Sequence, residues 1–219
     1  MSGLAIDSVN KKFGEREILK GAALAATKGE IIGLLGRNGS GKSTLLKILF
    51  GTEKADHQYL KLFNKINPGK RFLRKHINYL PQHNFLPSHV KLEKLLQISL
   101  STEAFQEIRH HSLIRKNLDK KRYKVSGGEL RYIEILWTIH QSGSILLLDE
   151  PFNGLSPLLR EEIIRELRAT SKKKSIVITD HDYQNVLELA TKRILLQNGT
   201  TLCINDSADL VAYGYLPSL

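Results

Sequence analysis

The sequence predicts an α/β fold in which strands buried on both faces alternate with helices. Three observations predict it. Short aliphatic runs stand at Glu30-Ile31-Ile32-Gly33-Leu34-Leu35, Ile145-Leu146-Leu147-Leu148 and Ser175-Ile176-Val177-Ile178-Thr179. A strand that is apolar throughout needs cover on both faces. The first run leads through a glycine-rich loop into helical sequence at Leu45-Leu46-Lys47-Ile48-Leu49-Phe50. A length of 219 residues with 41% hydrophobic content fits one such domain plus a small helical insertion.

The elements follow in order. Residues 3–35 read as short strands and turns, including Phe13-Gly14-Glu15. Residues 42–50 read as a helix. Residues 51–80 read as strand and loop, with a turn at Asn67-Pro68-Gly69-Lys70. Residues 90–118 read as helical, because Leu92, Leu95, Leu96 and Ile98 recur and Phe105, Ile108 and Leu113 follow. Leu130-Arg131-Tyr132-Ile133-Glu134-Ile135-Leu136 is a further helical pattern. Residues 157–170 form an amphipathic helix with Leu158, Leu159, Ile163, Ile164 and Leu167 on one face. Asn198-Gly199, between Ile194-Leu195-Leu196 and Thr201-Leu202, signals a type I′ hairpin.

Gly36-Arg37-Asn38-Gly39-Ser40-Gly41-Lys42-Ser43-Thr44 contains the phosphate-loop spacing G-x-x-x-x-G-K-[ST]. Glycines let successive backbone N–H groups face a phosphate chain, and the helix start adds its positive dipole end. Lys42 then binds the β- and γ-phosphates as a point charge, and the Ser43 hydroxyl ligates Mg²⁺. A chance glycine-rich turn would not sit between an apolar strand and a helix.

The run 145–148 ends in Asp149 and Glu150. Ligands of parallel sheets bind beyond the C-terminal strand ends, so Asp149 lands beside the phosphate loop and can hold Mg²⁺. Glu150, pointing away from Asp149, is the candidate base for an attacking water. Without the phosphate loop, two solvated acids at a strand end would be an equal reading.

Val125-Ser126-Gly127-Gly128-Glu129 precedes the helical pattern from Leu130. Ser126 reads as an N-cap, and the two glycines expose N–H groups at a helix start. This is a second anion site. One nucleotide does not need two such sites in one chain, which suggests a dimer.

Together these residues resemble the ATP-binding cassette (ABC) ATPases over nearly the whole chain, residues 3 to about 205. Gly36 to Thr44 match the family's Walker A motif, Val125 to Glu129 its signature loop, Ile145 to Asp149 its Walker B motif and Glu150 its catalytic glutamate. Gln82, in Tyr79-Leu80-Pro81-Gln82, resembles the Q-loop glutamine, which reaches the metal or the attacking water. His181, in Ile178-Thr179-Asp180-His181, resembles the switch histidine, a donor to the γ-phosphate or water. Phe13 sits where an aromatic stacks on adenine.

The resemblance implies a P-loop NTPase with a RecA-like mixed sheet core, an N-terminal antiparallel β subdomain and a short α-helical signature subdomain. It implies one ABC ATPase domain over residues 1–219. The catalytic core covers about 1–82 and 140–219, and the helical subdomain about 83–139. It further implies ATP and Mg²⁺ as cofactors, with Ser43, Gln82 and Asp149 around the metal. Two cassettes, identical or different, close head to tail on two ATP molecules. Ser126, Gly127, Gly128 and Glu129 of one chain then face the nucleotide on the other.

The chain departs from the family pattern at four places. Phe13 replaces tyrosine, Val125 leucine and Glu129 the commoner glutamine. Ser156 stands where the D-loop usually has an aspartate. It can cap the helix starting at Pro157, but it puts cross-dimer communication in doubt.

The remaining composition narrows the setting. The single cysteine, Cys203, permits no intrachain disulfide. Met1-Ser2-Gly3-Leu4-Ala5-Ile6-Asp7 lacks the basic start and long apolar core of a signal peptide, and no apolar run reaches the ~20 residues of a membrane span. The expected location is cytoplasmic, peripheral at the inner face of the membrane through a permease. His110 and His111 are adjacent, so on a helix they point about 100° apart and cannot share a metal.

The 33 Lys and Arg against 22 Asp and Glu leave a net charge of +11. Clusters stand at Arg71-Phe72-Leu73-Arg74-Lys75, Arg115-Lys116, Lys120-Lys121-Arg122 and Lys172-Lys173-Lys174. They fit a solvated surface, an anionic membrane surface or, third, nucleic acid. No nucleic-acid module accompanies them, so no specific nucleic acid is expected.

Two functions compete. One is the ATPase subunit of a transporter working on a separate integral membrane permease. The other is a soluble ABC ATPase resembling those of iron–sulfur cluster assembly. Within transporters, Glu150-Pro151-Phe152-Asn153-Gly154-Leu155 and Thr179-Asp180-His181 resemble most the ATPases of lipopolysaccharide export and branched-chain amino-acid uptake.

Overall fold

In the computed structural model, which describes residues 3–217, the three aliphatic runs become adjacent strands of one sheet. Met1 and Ser2 of the signal-peptide reading lie outside the described residues. The chain runs β1 (Gly3–Phe13), β2 (Arg16–Thr27), β3 (Ile31–Leu35), α1 (Lys42–Phe50), β4 (His57–Leu62), β5 (Lys65–Ile66), α2 (Lys70–His76) and β6 (Ile77–Leu80). It continues through α3 (Leu92–Ser99), α4 (Thr102–Ile108), α5 (Ser112–Asn117), a 3₁₀ turn at Arg122–Lys124 and α6 (Gly127–His140). The last part is β7 (Ile145–Asp149), α7 (Pro157–Ser171), β8 (Ser175–Thr179), α8 (Tyr183–Leu189), β9 (Lys192–Gln197), β10 (Thr200–Ile204) and α9 (Ser207–Ala212).

Six strands, in the order β10-β9-β3-β8-β7-β6, form the central sheet, parallel except for β10. The antiparallel sheet β2-β1-β4-β5 packs on one face of it. This is the mixed core and N-terminal antiparallel unit of the P-loop NTPase fold expected above.

Alternate side chains of each central strand enter different cores, as the pleat requires. Ile145, Leu147, Val177, Ile32 and Leu34 join the cluster under the antiparallel sheet. Leu146, Leu148, Ile176, Ile178 and Leu35 join the cluster that also takes Leu92, Leu96, Phe105 and Ile133 from the helices. Covered faces explain the wholly apolar strands.

Several elements differ from expectation. Residues 3–27 hold two long strands, because register shifts on either side of Val9 break the alternation that reveals a strand. Residues 70–76 are helical, a helix that buries only Leu73 and so shows no apolar period. The 90–118 stretch is three helices. Ser101 caps α4 by accepting from the Ala104 N–H, and α5 starts afresh at Ser112. In α7, Leu158 is 65% exposed, while Ile163, Ile164 and Leu167 face the core. The hairpin is as predicted: Asn198 and Gly199 have φ of 52° and 84°, and β9 pairs with β10 from Gln197 and Thr200 outward.

The sheet places the site. β3, β6, β7 and β8 are parallel, so their C-terminal ends share one edge. That edge carries the phosphate loop after β3, Gln82 after β6, Asp149 and Glu150 at β7, and His181 after β8.

Candidate active site

Gly41 occupies the N-cap of α1 with φ of 106°, and a Cβ there would come within 2.9 Å of Ile18 Cγ2. Only glycine suits both the backbone and the space. Lys42 follows it and is 6% exposed. Its Nζ donates to the carbonyls of Gly36 (2.6 Å) and Arg37 (3.2 Å), so the ammonium folds back over its own loop. Burial pushes its pKa down, and Glu150, Asp149 and Asp180 oppose that shift.

Asp149 is 1% exposed and gathers three hydroxyls. Ser43 Oγ donates to its Oδ1 (3.0 Å), Thr179 Oγ1 to the same oxygen (2.9 Å), and Tyr79 OH to its Oδ2 (3.1 Å). The phosphate loop and the acidic strand end are thus joined by a direct bond. Burial, with Asp149 beside it, raises the Tyr79 pKa, so the phenol stays a donor.

Glu150 sits at a left-handed φ of 49°. Its N–H donates to Thr179 O (3.0 Å) and Thr179 Oγ1 (3.2 Å). Its Oε2 accepts from Gln82 Nε2 at 2.9 Å and lies 3.8 Å from His181 Nδ1. The adjacent Asp180 is 1% exposed, accepts the Phe152 and Asp182 N–H groups, and has its pKa raised by burial.

Phe13, Arg16, Ile18, residues 38–44, Gln82, Glu150 and His181 line one cavity of about 520 Å³. Phe13 is 49% exposed at its mouth, with Lys11 Nζ 4.6 Å from the ring centroid. Arg37 lines a neighbouring cavity that Asn38, Gly39 and Ser40 share. Gly36 meets the site through its carbonyl, which accepts from Lys42 Nζ. The residues matched to Walker A, Walker B, the Q-loop and the switch histidine therefore converge.

The signature residues do not join them. Ser126 caps α6 by accepting from the Glu129 N–H, and its own Oγ–H donates to Glu129 Oε2 (3.1 Å). Lys116 pairs with Glu129 at 3.2 Å and holds its pKa down. Ser126 and Gly127 are exposed and Gly128 half-buried, outside the cavity of Lys42.

Sequence reasoning missed Tyr79, Thr179 and Arg131. Thr179 stands opposite Asp149 in the parallel pairing of β7 with β8, so aligning the two aliphatic runs by their strand ends would have found it. Arg131 is 3% exposed within a helical pattern read only for its apolar residues.

A profile of the family described as ABC transporter matches residues 19–153, more than half of the chain. The chain belongs to the ABC transporter family. The ergothioneine transport ATP-binding protein EgtV of Helicobacter pylori (strain G27) is 30% identical over 204 residues, 87% of this chain and 95% of that protein. The lipopolysaccharide export system ATP-binding protein LptB of Acidithiobacillus ferridurans is 30% identical, over 95% of this chain and 92% of that protein. The probable sulfate/thiosulfate import ATP-binding protein CysA of Chlorella vulgaris is 28% identical over 94% of this chain and 92% of that protein.

Among solved structures, one titled as the ATP binding subunit of an ABC transporter superposes with a TM-score of 0.86 at 20% identity. It covers 99% of this chain and 95% of that one. A nucleotide-free ATP-binding cassette from an ABC transporter gives 0.82 at 22%, over 99% of this chain and 96% of that one. These two establish the fold. The chain is an ATP-binding transporter subunit with ATPase activity, and its relatives favour that over the soluble assembly ATPase. Among the described residues no helix is long and apolar enough to cross a membrane.

Proposed function

We propose that the cavity above Lys42 is the ATP site and that Glu150 is its catalytic base. The observation that carries this is the meeting of Lys42, Ser43, Gln82, Glu150 and His181 around one cavity, with Asp149 bonded to Ser43 directly behind it. Phe13 stacks on the adenine. The backbone N–H groups of residues 36–44 and the Lys42 ammonium take the phosphates. Ser43, Asp149 and Gln82 offer only oxygens as metal donors, which suits Mg²⁺, and the metal when bound neutralises phosphate charge. Glu150 takes the proton of the attacking water, held there by Gln82, as the γ-phosphate leaves ADP. His181 donates to the γ-phosphate or the water.

The exposed signature residues support a head-to-tail dimer of cassettes, identical or different. Ser126, Gly127, Gly128 and Glu129 then meet the nucleotide held by the partner chain. The helical unit about 83–139 turns against the core about 1–82 and 140–219, and an integral membrane permease receives the motion. The chain lies on the cytoplasmic face of the membrane, held by that permease, and reads no specific nucleic acid. Which cargo moves is set by the permease.

The test uses tagged Glu150→Gln in the native cell, solubilised gently with ATP and Mg²⁺. Co-purification of a polytopic membrane protein in fixed stoichiometry is the expected result. Recovery of soluble partners alone would withdraw the permease and the membrane location.

A further inference from the structure

The first buried turn of α6 carries two opposite charges whose polar atoms serve backbone rather than each other. Arg131 Nη1 and Glu134 Oε2 are 3.7 Å apart, and that Glu134 oxygen has no hydrogen-bond partner. Arg131 instead donates to four main-chain carbonyls: Pro81 (2.7 Å), Asp149 (2.9 Å), Glu150 (2.9 Å) and Pro151 (3.3 Å). Glu134 Oε1 accepts the N–H groups of Phe85 (2.9 Å) and Leu86 (3.2 Å). Gln82 lies between Pro81 and Phe85, so one helix turn holds both ends of its loop, and holds the Glu150 turn as well.

Stability does not ask for this arrangement. A buried ion pair is commonly no better than apolar residues of equal volume. The guanidinium is chosen for its geometry, since five donors in a rigid fork can reach four carbonyls at once, whereas an ammonium has only three donors on one atom. Glu150 needs such a hold. A left-handed non-glycine residue costs about 1–3 kcal/mol and persists only where its surroundings over-determine it. Thr179 fixes the Glu150 N–H and Arg131 fixes its carbonyl. The same helix starts at the signature residues, where a Cβ on Gly128 would come within 2.6 Å of Gly154 O.

We propose that Arg131 and Glu134 are positioning residues that set Glu150 and Gln82 in register with the signature helix. The inference rests on Glu150 being the base. Arg131→Lys keeps a buried cation but loses the fork. It should lower kcat about 10- to 100-fold, the cost of a small misplacement of a catalytic group. KM for ATP, and the folded protein's affinity for a non-hydrolysable ATP analogue, should stay within about threefold, because Arg131 lies outside the phosphate loop. In a Glu150→Gln background the same change should cost nothing further, since both act on one step.

Four outcomes decide. An unchanged kcat per folded molecule, with Glu150→Gln slow, overturns the inference alone. An undiminished loss in the Glu150→Gln background also overturns it, because Arg131 would then act elsewhere. Wild-type hydrolysis by Glu150→Gln removes the base reading and this inference with it. Should Arg131→Lys fail to fold, Glu134 decides: Glu134→Gln, whose amide oxygen still accepts both N–H groups, should recover about tenfold in kcat over Glu134→Met. Equal kcat for those two variants would end the proposal.

Discussion

Two helix starts in this chain invite anions, and they are built differently. At α1 the loop is backed by a buried lysine, tied by Ser43 to a buried carboxylate and faced by Glu150. At α6 the start is exposed, capped by Ser126 and flanked by the Lys116–Glu129 pair. The first gathers in its own chain the lysine, hydroxyl and carboxylates that we propose act in hydrolysis. The second has donors and one carboxylate, Glu129, and lies outside the cavity of Lys42. A nucleotide site and a separate half site on one chain make sense when, as proposed, the half site faces another copy's nucleotide.

The sharpest way to break this contrast is to remove the proposed base from the α1 site. Glu150→Gln should reduce ATP hydrolysis about 10²- to 10⁴-fold and leave ATP binding intact. Phosphate release and size-exclusion in ATP measure both halves, with a persistent dimer expected. Hydrolysis at the wild-type rate would leave α1 with no advantage over α6.

Next in size is a change confined to the half site. Ser126→Arg puts a bulky cation at a helix start whose dipole already disfavours it, and fills the space a second chain's phosphate would take. Dimer formation should be lost, while the monomer's nucleotide affinity stays within about threefold, since Ser126 is outside its cavity. Loss of monomer binding would place the signature in its own chain's site and end the contrast.

A milder change at the same position separates the cap from the ligand. Ser126→Ala removes the hydroxyl that caps α6 and should cost about 0.5–2 kcal/mol of stability. Thermal unfolding without nucleotide measures it. A larger loss of ATP-dependent dimer than this cap term explains would assign the hydroxyl to the partner's nucleotide as well.

Part of the contrast is legible in the amino-acid sequence. Glycines, Lys42 and the strand before them have fixed spacing, so the phosphate loop can be read directly. The acids after Leu148 can be placed because parallel strands end together. Ser126 and Ser156 are recognisable caps. What cannot be read depends on neighbours far apart in sequence. Thr179 and Tyr79 meet Asp149 only through sheet register, and Arg131 looks like a surface residue until α6 is packed behind β7. Helix breaks at Ser101 and Ser112, and the basic helix Lys70–His76, escape because they carry little apolar period.

The other end of α6 gives the finest test. Its final carbonyls have no helical partners. Lys174 supplies them, donating from Nζ to Ile139 O at 2.6 Å and to Gln141 O. Burial nevertheless pushes the Lys174 pKa down to about 8 from the usual 10.5. The sign follows from proton counting. Between about pH 8 and about pH 10.5 the unfolded chain keeps a proton that the folded chain has released, so stability rises with pH across that window. The contribution is complete above the unfolded pKa and is lost as pH falls through the folded one. Melting temperatures of the wild type and Lys174→Met, compared from about pH 7 to about pH 10, cancel the titration of distant groups. The difference, wild type minus variant, should grow with pH. A flat difference would mean that Lys174 stays charged in contact with water, and that α6 is as open at its last turn as at its first.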